Sequence, residues 1–347
     1  MTRAWTSDTV RSISRRSLGA SIVVAAFMVA SGGAAGQSKG GKAMADALDL
    51  EAEFTAAVAN DGAAYIVNRD RLLAHGATAL SFAKARQASS DWKVSLVADI
   101  VSGWLEQRAL FEQCAQAVIG QLPGPTPLTG RFSAQRRIAE VTRLGSSVTP
   151  LLLEMALKSK DIDAAEQTAT VFGSMVALKD PRVVRPLVDA MLHSRDESLR
   201  EWAASTLGPL KDARAVPYLI TVLRNARASQ MLRAAAAVSL GTLGAREALP
   251  DLRTVAADTS TNLGYRKAAI GAIGDLADAA SAEGLLRALA GTSDLPFQLY
   301  VLTVVGDIGL ANVLPALKQI ELNHVEEPVR ELALEARQKI TDRISGK

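Results

Sequence analysis

The chain has 347 residues, 48% of them hydrophobic but only 4% aromatic, and a formal net charge of +3. An apolar share built on Ala, Leu and Val argues against a β-sandwich, which draws on aromatic and β-branched residues, and points to closely packed helices. All of the excess charge lies before Ser38, where Arg3, Arg11, Arg15 and Arg16 face only Asp8; the rest of the chain is formally neutral, which excludes the broad basic face that nucleic-acid binding needs.

Residues 1–37 read as a signal peptide. Arg11, Arg15 and Arg16 precede the apolar run Leu18 to Ala30, too short to span a bilayer comfortably, and small residues up to Gly36 offer a cleavage site. The expectation is export to a bacterial periplasm or beyond, with no stable membrane span once the leader is removed. Ser14-Arg15-Arg16-Ser17-Leu18 resembles a twin-arginine signal without its downstream Lys, so twin-arginine and general secretory routes both stay open. Residues 38–45, rich in Gly and Lys, read as a flexible linker.

Residues 46–122 have helical periodicity, with Leu72, Leu73, Leu80 and Phe82 in one stretch and Leu96, Val97, Ile100, Val101, Trp104 and Leu105 in another. They read as degenerate repeats or a helical cap. Cys114, the only cysteine, allows no intramolecular disulfide and reads as a small buried hydrophobe. Leu122 to Gly130 holds three prolines, which makes it the predicted domain boundary.

Over 131–347 the chain repeats itself. The segment Leu199 to Gly208 returns as Leu232 to Gly241, Tyr265 to Gly274, Phe297 to Gly306 and Val329 to Gln338, with weaker copies at Arg136 to Gly145 and Ala164 to Gly173. Leu199, Ala203 and Leu207 share one helix face by their four-residue spacing. Two columns recur: the basic residues Arg137, Arg200, Arg233, Arg266 and Arg330, broken at Ala165 and Gln298, and the glycines Gly145, Gly173, Gly208, Gly241, Gly274 and Gly306. The glycines suit left-handed helix C-caps. Asp258, Asp294 and Glu327 suggest an acidic ladder paired with the arginines. A second helix follows each copy, with Pro186, Pro217, Pro250 and Pro315 near its start, where a missing N–H costs least. The unit is helix–turn–helix, and such hairpins bury both faces only by stacking, so the predicted fold is an all-α solenoid.

The pattern [LV]-R-x-x-A-x-x-x-L-G followed by A-x-P-x-L resembles HEAT repeats, of the short phycobilisome-lyase type within the armadillo-like solenoids, over about Phe132 to Ile344. The resemblance implies architecture more than activity, since similar arrays serve as scaffolds, adaptors, chromophore lyases and metal-dependent hydroxylases. In HEAT-like arrays the second helix of each hairpin lines the concave face, and by resemblance that helix begins at the Leu-Arg copies. Trp202 and Tyr300 occupy one position there, either as partner anchors or as fillers between non-identical repeats. Glu201, Lys267 and Glu331 complete the candidate surface, with a solvated helix face as their plainer reading.

Chemistry is sparse. His75, His193 and His324 stand apart from one another and lack the His-Glu pairs of the HEAT-like hydroxylases. No nucleophile elbow or phosphate loop occurs. Asp161-Ile162-Asp163 reads as a helix N-cap. No catalytic, cofactor or metal site is predicted, and the expected function is an exported scaffold binding a protein or peptide. The alternatives are a chromophore-lyase-like enzyme and an accessory factor for an exported cofactor-containing enzyme.

Overall fold

The computed structural model describes residues 39–120, 131–159 and 165–346, and every regular element among them is helical. The predicted leader, the boundary at Leu122 to Gly130 and the cap at Asp161 to Asp163 lie outside the described residues. The chain divides into two compact units after Arg108, earlier than the proline-rich stretch, so the helix carrying Cys114 belongs with the repeats.

The first unit holds α1 (Lys39–Ala59), α2 (Gly62–Ala74), α3 (Ala77–Lys84) and α4 (Trp92–Glu106). The backbone is helical from Lys39, so most of the segment read as linker is the start of α1; the run Ala43 to Ala57 is rich in Ala, Leu and Glu, which favour a helix. Leu50, Phe54, Tyr65, Leu72, Ala79, Val97 and Val101 form its core. The Arg86 guanidinium lies 3.5 Å from the Phe82 ring centre and bonds Glu51 on α1.

The second unit runs α5 (Arg108–Ile119), α6 (Arg131–Arg143), α7 (Thr149–Leu153, continuing as a π turn over Glu154–Ser159), α8 (Ala165–Leu178), α9 (Val184–His193), α10 (Glu197–Leu207), α11 (Val216–Arg224), α12 (Gln230–Leu243), α13 (Leu249–Ala257), α14 (Leu263–Asp275), α15 (Ala282–Ala290), α16 (Leu295–Ile308), α17 (Leu314–Asn323) and α18 (Glu327–Ser345). From α6 onward the helices form two stacked rows. The Leu-Arg copies α6, α8, α10, α12, α14, α16 and α18 pack side by side as one row, and α7, α9, α11, α13, α15 and α17 form the other. This is an all-α solenoid of paired helices.

The tight pair is not the one the repeat boundaries suggest. Each second-row helix packs closely on the Leu-Arg helix that follows it, as α11 does on α12 and α13 on α14. The Gly-containing link from α10 to α11 is instead a corner through a short 3-10 turn. Side chains on the loop side start α10, α12, α14 and α16: Asp196, Ser229, Asn262 and Asp294 accept from the N–H three residues on, satisfying one orphan donor each. Pro217, Pro250 and Pro315 stand in the first turns of their helices, as expected.

The glycine column has a different cause from the one the sequence suggests. Gly173, Gly208, Gly241, Gly274 and Gly306 are helical, not left-handed caps. A Cβ on Gly208 would lie 2.7 Å from the Ser239 Cα, and one on Gly241 2.6 Å from the Ala272 Cα. At Gly208 and Gly241, and less tightly at Gly306, neighbouring Leu-Arg helices touch backbone to backbone, whereas Gly274 faces the Val304 side chain. Left-handed backbone sits at the corners instead, at Gly145, Lys179, Lys211, Gly244 and Ala277. At the last helix the column position is Gln338, which donates to Asp342 at 2.8 Å.

The arginine column caps helices instead of building an acidic ladder. Arg200 Nε donates to Met191 O at 3.0 Å, Arg233 Nε to Leu223 O at 3.0 Å, and Arg266 Nε to Ala256 O at 3.1 Å. Arg330 donates to His324 O at 2.7 Å, and Gln298, the break in the column, does the same work on Thr292 O at 2.7 Å. Each bond supplies a donor to a carbonyl left orphaned at the end of the preceding helix, and four of the five set a cation at the negative end of its dipole. Asp258 turns to Ser260 and Thr261, and Asp294 caps α16. Arg233 and Arg266 also lie over the rings of Tyr265 and Phe297, 4.7 and 4.5 Å from their centres, so the capping cation is sandwiched on the next repeat.

The corner geometry corrects the register of the two weak copies. Arg200 and Lys211, Arg233 and Gly244, and Arg266 and Ala277 are each eleven residues apart. Counting back equally from Gly145 and Lys179 places Ala134 and Thr168 in the arginine column, not Arg137 and Ala165. Gly145 is thus a corner residue, and Gly173 faces backward onto the Ile138 side chain. Arg137 still reaches Val118 O at 3.4 Å, together with Glu166.

Candidate functional site

On the Leu-Arg helices from α10 onward, residues one turn apart on the side away from the core form an open strip. On α12 these are Met231, Ala234, Ala235, Val238 and Thr242; on α14 they are Gly264, Lys267, Ala268, Gly271 and Asp275. The core-facing residues Leu232, Ala236 and Leu240 lie opposite and are fully buried. All five predicted site residues fall on this face: Glu201 and Trp202 on α10, Lys267 on α14, Tyr300 on α16 and Glu331 on α18.

Both aromatics lean on the preceding helix of the row. Trp202 stacks on Phe172 of α8, with ring centres 5.6 Å apart and an 11° interplanar angle. Tyr300 lies over α14, where a Cβ on Gly271 would meet its hydroxyl at 2.5 Å. They therefore do fill gaps between unlike repeats, and they also wall the face: Trp202 is half-buried and Tyr300 is 36% exposed. Burial, and then the carboxylate of Asp275, push the Tyr300 phenol up. Glu201 accepts from Ser229 at 3.3 Å, while Lys267 is half-buried and Glu331 exposed.

Sequence reasoning missed the most exposed apolar residues here, Met231 at 65% and Val238 at 50% exposure, and the carboxylate of Asp275. Their signal was available: Met231, Ala235, Val238 and Thr242 step along one face, but their repeat counterparts carry unlike residues, so no column drew notice.

The second row is chemically different. Arg224 grips Asp251 with two bonds of 3.0 and 2.9 Å, Arg253 holds Asp278 at 2.6 Å, and Asn312 donates to Glu283 at 2.6 Å. At the corners Arg214 holds Asp212 at 2.6 Å and Arg182 holds Asp180 at 2.7 Å. The Arg214 hydrogen bond draws the Asp212 carboxyl below its usual range; for Asp278, bonds from Ser281 and Arg253 outweigh the opposing effect of burial. The Arg224, Arg253 and Asn312 pairs link neighbouring repeats along the row.

The three histidines stand at helix ends, and the cysteine lies in the core. His75 ends α2 and meets Glu53 at 3.1 Å; His193 is the last residue of α9; His324 follows α17 and accepts from the Glu326 N–H. Cys114 is buried, and that burial pushes its thiol up to about 12, far from a reactive thiolate. Among the described residues no group of three His, Cys, Asp or Glu is placed to hold a metal ion, and no helix is long and apolar enough to cross a membrane.

Two family models match the array. Residues 149–230 match HEAT repeats, and residues 232–258 match the PBS lyase HEAT-like repeat. No curated protein matches the sequence.

Proposed function

We propose, from the premise that this chain is a HEAT-like repeat protein, that it is a non-catalytic scaffold which binds a protein or peptide on the open face of α10, α12, α14 and α16. HEAT repeats are commonly protein-interacting, and one observation chooses the face. In the second row the pairs Arg224–Asp251 and Arg253–Asp278 tie neighbouring repeats, and its exposed apolar residues Tyr218 and Leu322 stand on the well-separated helices α11 and α17, whereas Met231, Val238 and Tyr300 crowd the successive strips of α12, α14 and α16 beside small Ala and Gly residues. Exposed apolar surface framed by aromatics is what a partner covers at gain. The alanine and glycine floor lets a partner approach the helix backbones closely.

A photo-crosslinking residue placed at Val238 or Thr303 tests this in the cells that make the protein. Both positions should trap the same discrete species, while Thr221 and Thr254 on the second row should trap none. Crosslinks confined to the second row would reverse the assignment of faces.

The scaffold acts outside the cytoplasm in this reading, supported by the basic residues and apolar run of its first 37 residues. Replacing Arg15 and Arg16 together by lysines should leave the full-length precursor inside the cell if the twin-arginine route is used. Unchanged processing points to general secretion, and processing that never occurs in the unaltered protein removes the export reading.

A further inference from the structure

The open face of the Leu-Arg row has a net charge that its apolar appearance conceals. From α10 to α18 its strips carry the acids Glu201, Asp275, Asp307, Glu331 and Glu335 and the bases Lys267 and Lys339. Lys339 is tied to Asp307, and Glu201 accepts from Ser229. Asp275, Glu331 and Glu335 have no ion-pair partner among the described residues, in contrast to the bound carboxylates Asp251 and Asp278 of the second row. The face therefore holds three unanswered carboxylates among Ala, Gly, Val, Met and Tyr side chains, with Lys267 the one unanswered cation.

Asp275 has a particular setting. It lies on the last turn of α14 at the seam with α12, its carboxylate oxygen 3.1 Å from where a Cβ on Gly241 would stand. Tyr300, one helix along, lies over Gly271 of the same strip and feels the Asp275 charge. A carboxylate one turn along the strip from the glycine that Tyr300 covers, on a small-residue floor, suits the head and stem of one Lys or Arg side chain: the stem rests on the floor against the ring, and the cation meets the carboxylate. Val238 and Met231, on the neighbouring strip, supply the apolar contact.

We infer that this face takes a cationic amphipathic segment of a protein partner, one that presents Lys or Arg to Asp275 and Tyr300 and apolar side chains to Val238, Ala235 and Ala268. The inference rests on the reading of this face as the partner surface and adds the chemistry of what it binds. Charge complementarity carries it: a neutral or acidic segment would bury the three carboxylates unanswered, which is costly, while a basic one answers them.

Random-dodecapeptide display against the full chain tests it with no partner known beforehand. Enriched peptides should interleave Lys or Arg with apolar residues. Their binding should weaken by about tenfold or more in Asp275→Lys, as loss of one close charge contact at an interface does, and should fall as salt rises. Val238→Gln should also weaken it. Asp275 and Val238 are solvent-facing, and unchanged far-ultraviolet spectra would verify that both variants fold. If Val238→Gln abolishes binding but the enriched peptides are neutral or acidic, or Asp275→Lys leaves affinity unchanged, the surface stands and its cationic preference is wrong. If no peptide enriches, or bound peptides ignore both substitutions, the inference falls together with the choice of face.

Discussion

The stretch from α11 to α14 and the stretch from α6 to α8 are built to one plan, but only the first completes it. In α11–α14 every second-row helix ends on a carbonyl held by the next arginine, and Leu-Arg helices touch through glycine. In α6–α8 the arginine column holds Ala134 and Thr168, and Gly173 looks backward. There α7 passes into the π turn Glu154–Ser159, a wider winding that ordinary helices avoid. The arginine is thus more than a repeat signature: where it is present, it bonds the end of the preceding helix.

The comparison can be tested at its strongest point first. Gly241→Leu sets a side chain against the Ala272 backbone and should cost about 3 kcal/mol, the upper part of the overpacking range. Gly173→Leu displaces only the end of Ile138 and should cost about 1 kcal/mol or less, since Leu regains helix propensity. Urea midpoints of the two variants give the difference directly, and equal losses would mean that the glycine column is no contact seam.

Next in size is the cap. Arg233→Met should lose about 1–2 kcal/mol, the worth of a charge-assisted bond to an orphan carbonyl with its ring contact. Gln298→Arg should move the other way by up to about 1 kcal/mol by setting a cation where Gln298 now bonds Thr292 O behind α15. A Gln298→Arg variant with an unshifted thermal midpoint would remove the charge from the account of the cap.

The corners give a smaller, opposed pair. Gly244 has φ +77° and Ala277 φ +48°. Gly244→Ala should cost about 1 kcal/mol, while Ala277→Gly should be neutral or slightly stabilising, because relief of left-handed strain offsets the looser unfolded chain.

The smallest effect is in acid. Asp180, Asp212 and Asp278 are all held below the ordinary carboxylate range. A carboxylate whose folded value is depressed contributes stability that is present above its unfolded value, about 3.9, and is lost as pH falls through the folded one. Thermal midpoints should therefore hold from pH 7 to about 5 and drop below about 4. Asp212→Asn should shrink that drop; an acid dependence identical to the parent's would remove Asp212 as a contributor.

Much of this was readable from the residues. The four-residue spacing of Leu232, Ala236 and Leu240, the prolines of the second row and the interval between copies gave helices, pairing and stacking. What sequence could not separate was two roles for glycine. A helix-end glycine can mark a left-handed turn or a close contact, and only the neighbouring helix decides, as Ala272 does for Gly241. The same blindness produced the three-residue slip at Gly145 and Gly173, where a corner glycine and a backward-facing one were aligned with contact glycines. The site was legible in part. Trp202 and Tyr300 stood out by size, but Asp275 gains meaning only beside Tyr300, which belongs to another repeat.

Gln338 has a bearing on how such a chain can lengthen. With glutamine where α10, α12, α14 and α16 have glycine, and with that glutamine tied to Asp342, α18 lacks the glycine through which those helices meet their neighbours. Copies can be gained by duplication between α10 and α14, where each junction sets glycine against a small residue, Gly208 against Ser239 and Gly241 against Ala272. A unit grafted after Ser345 would have to pack on α18 without that glycine contact.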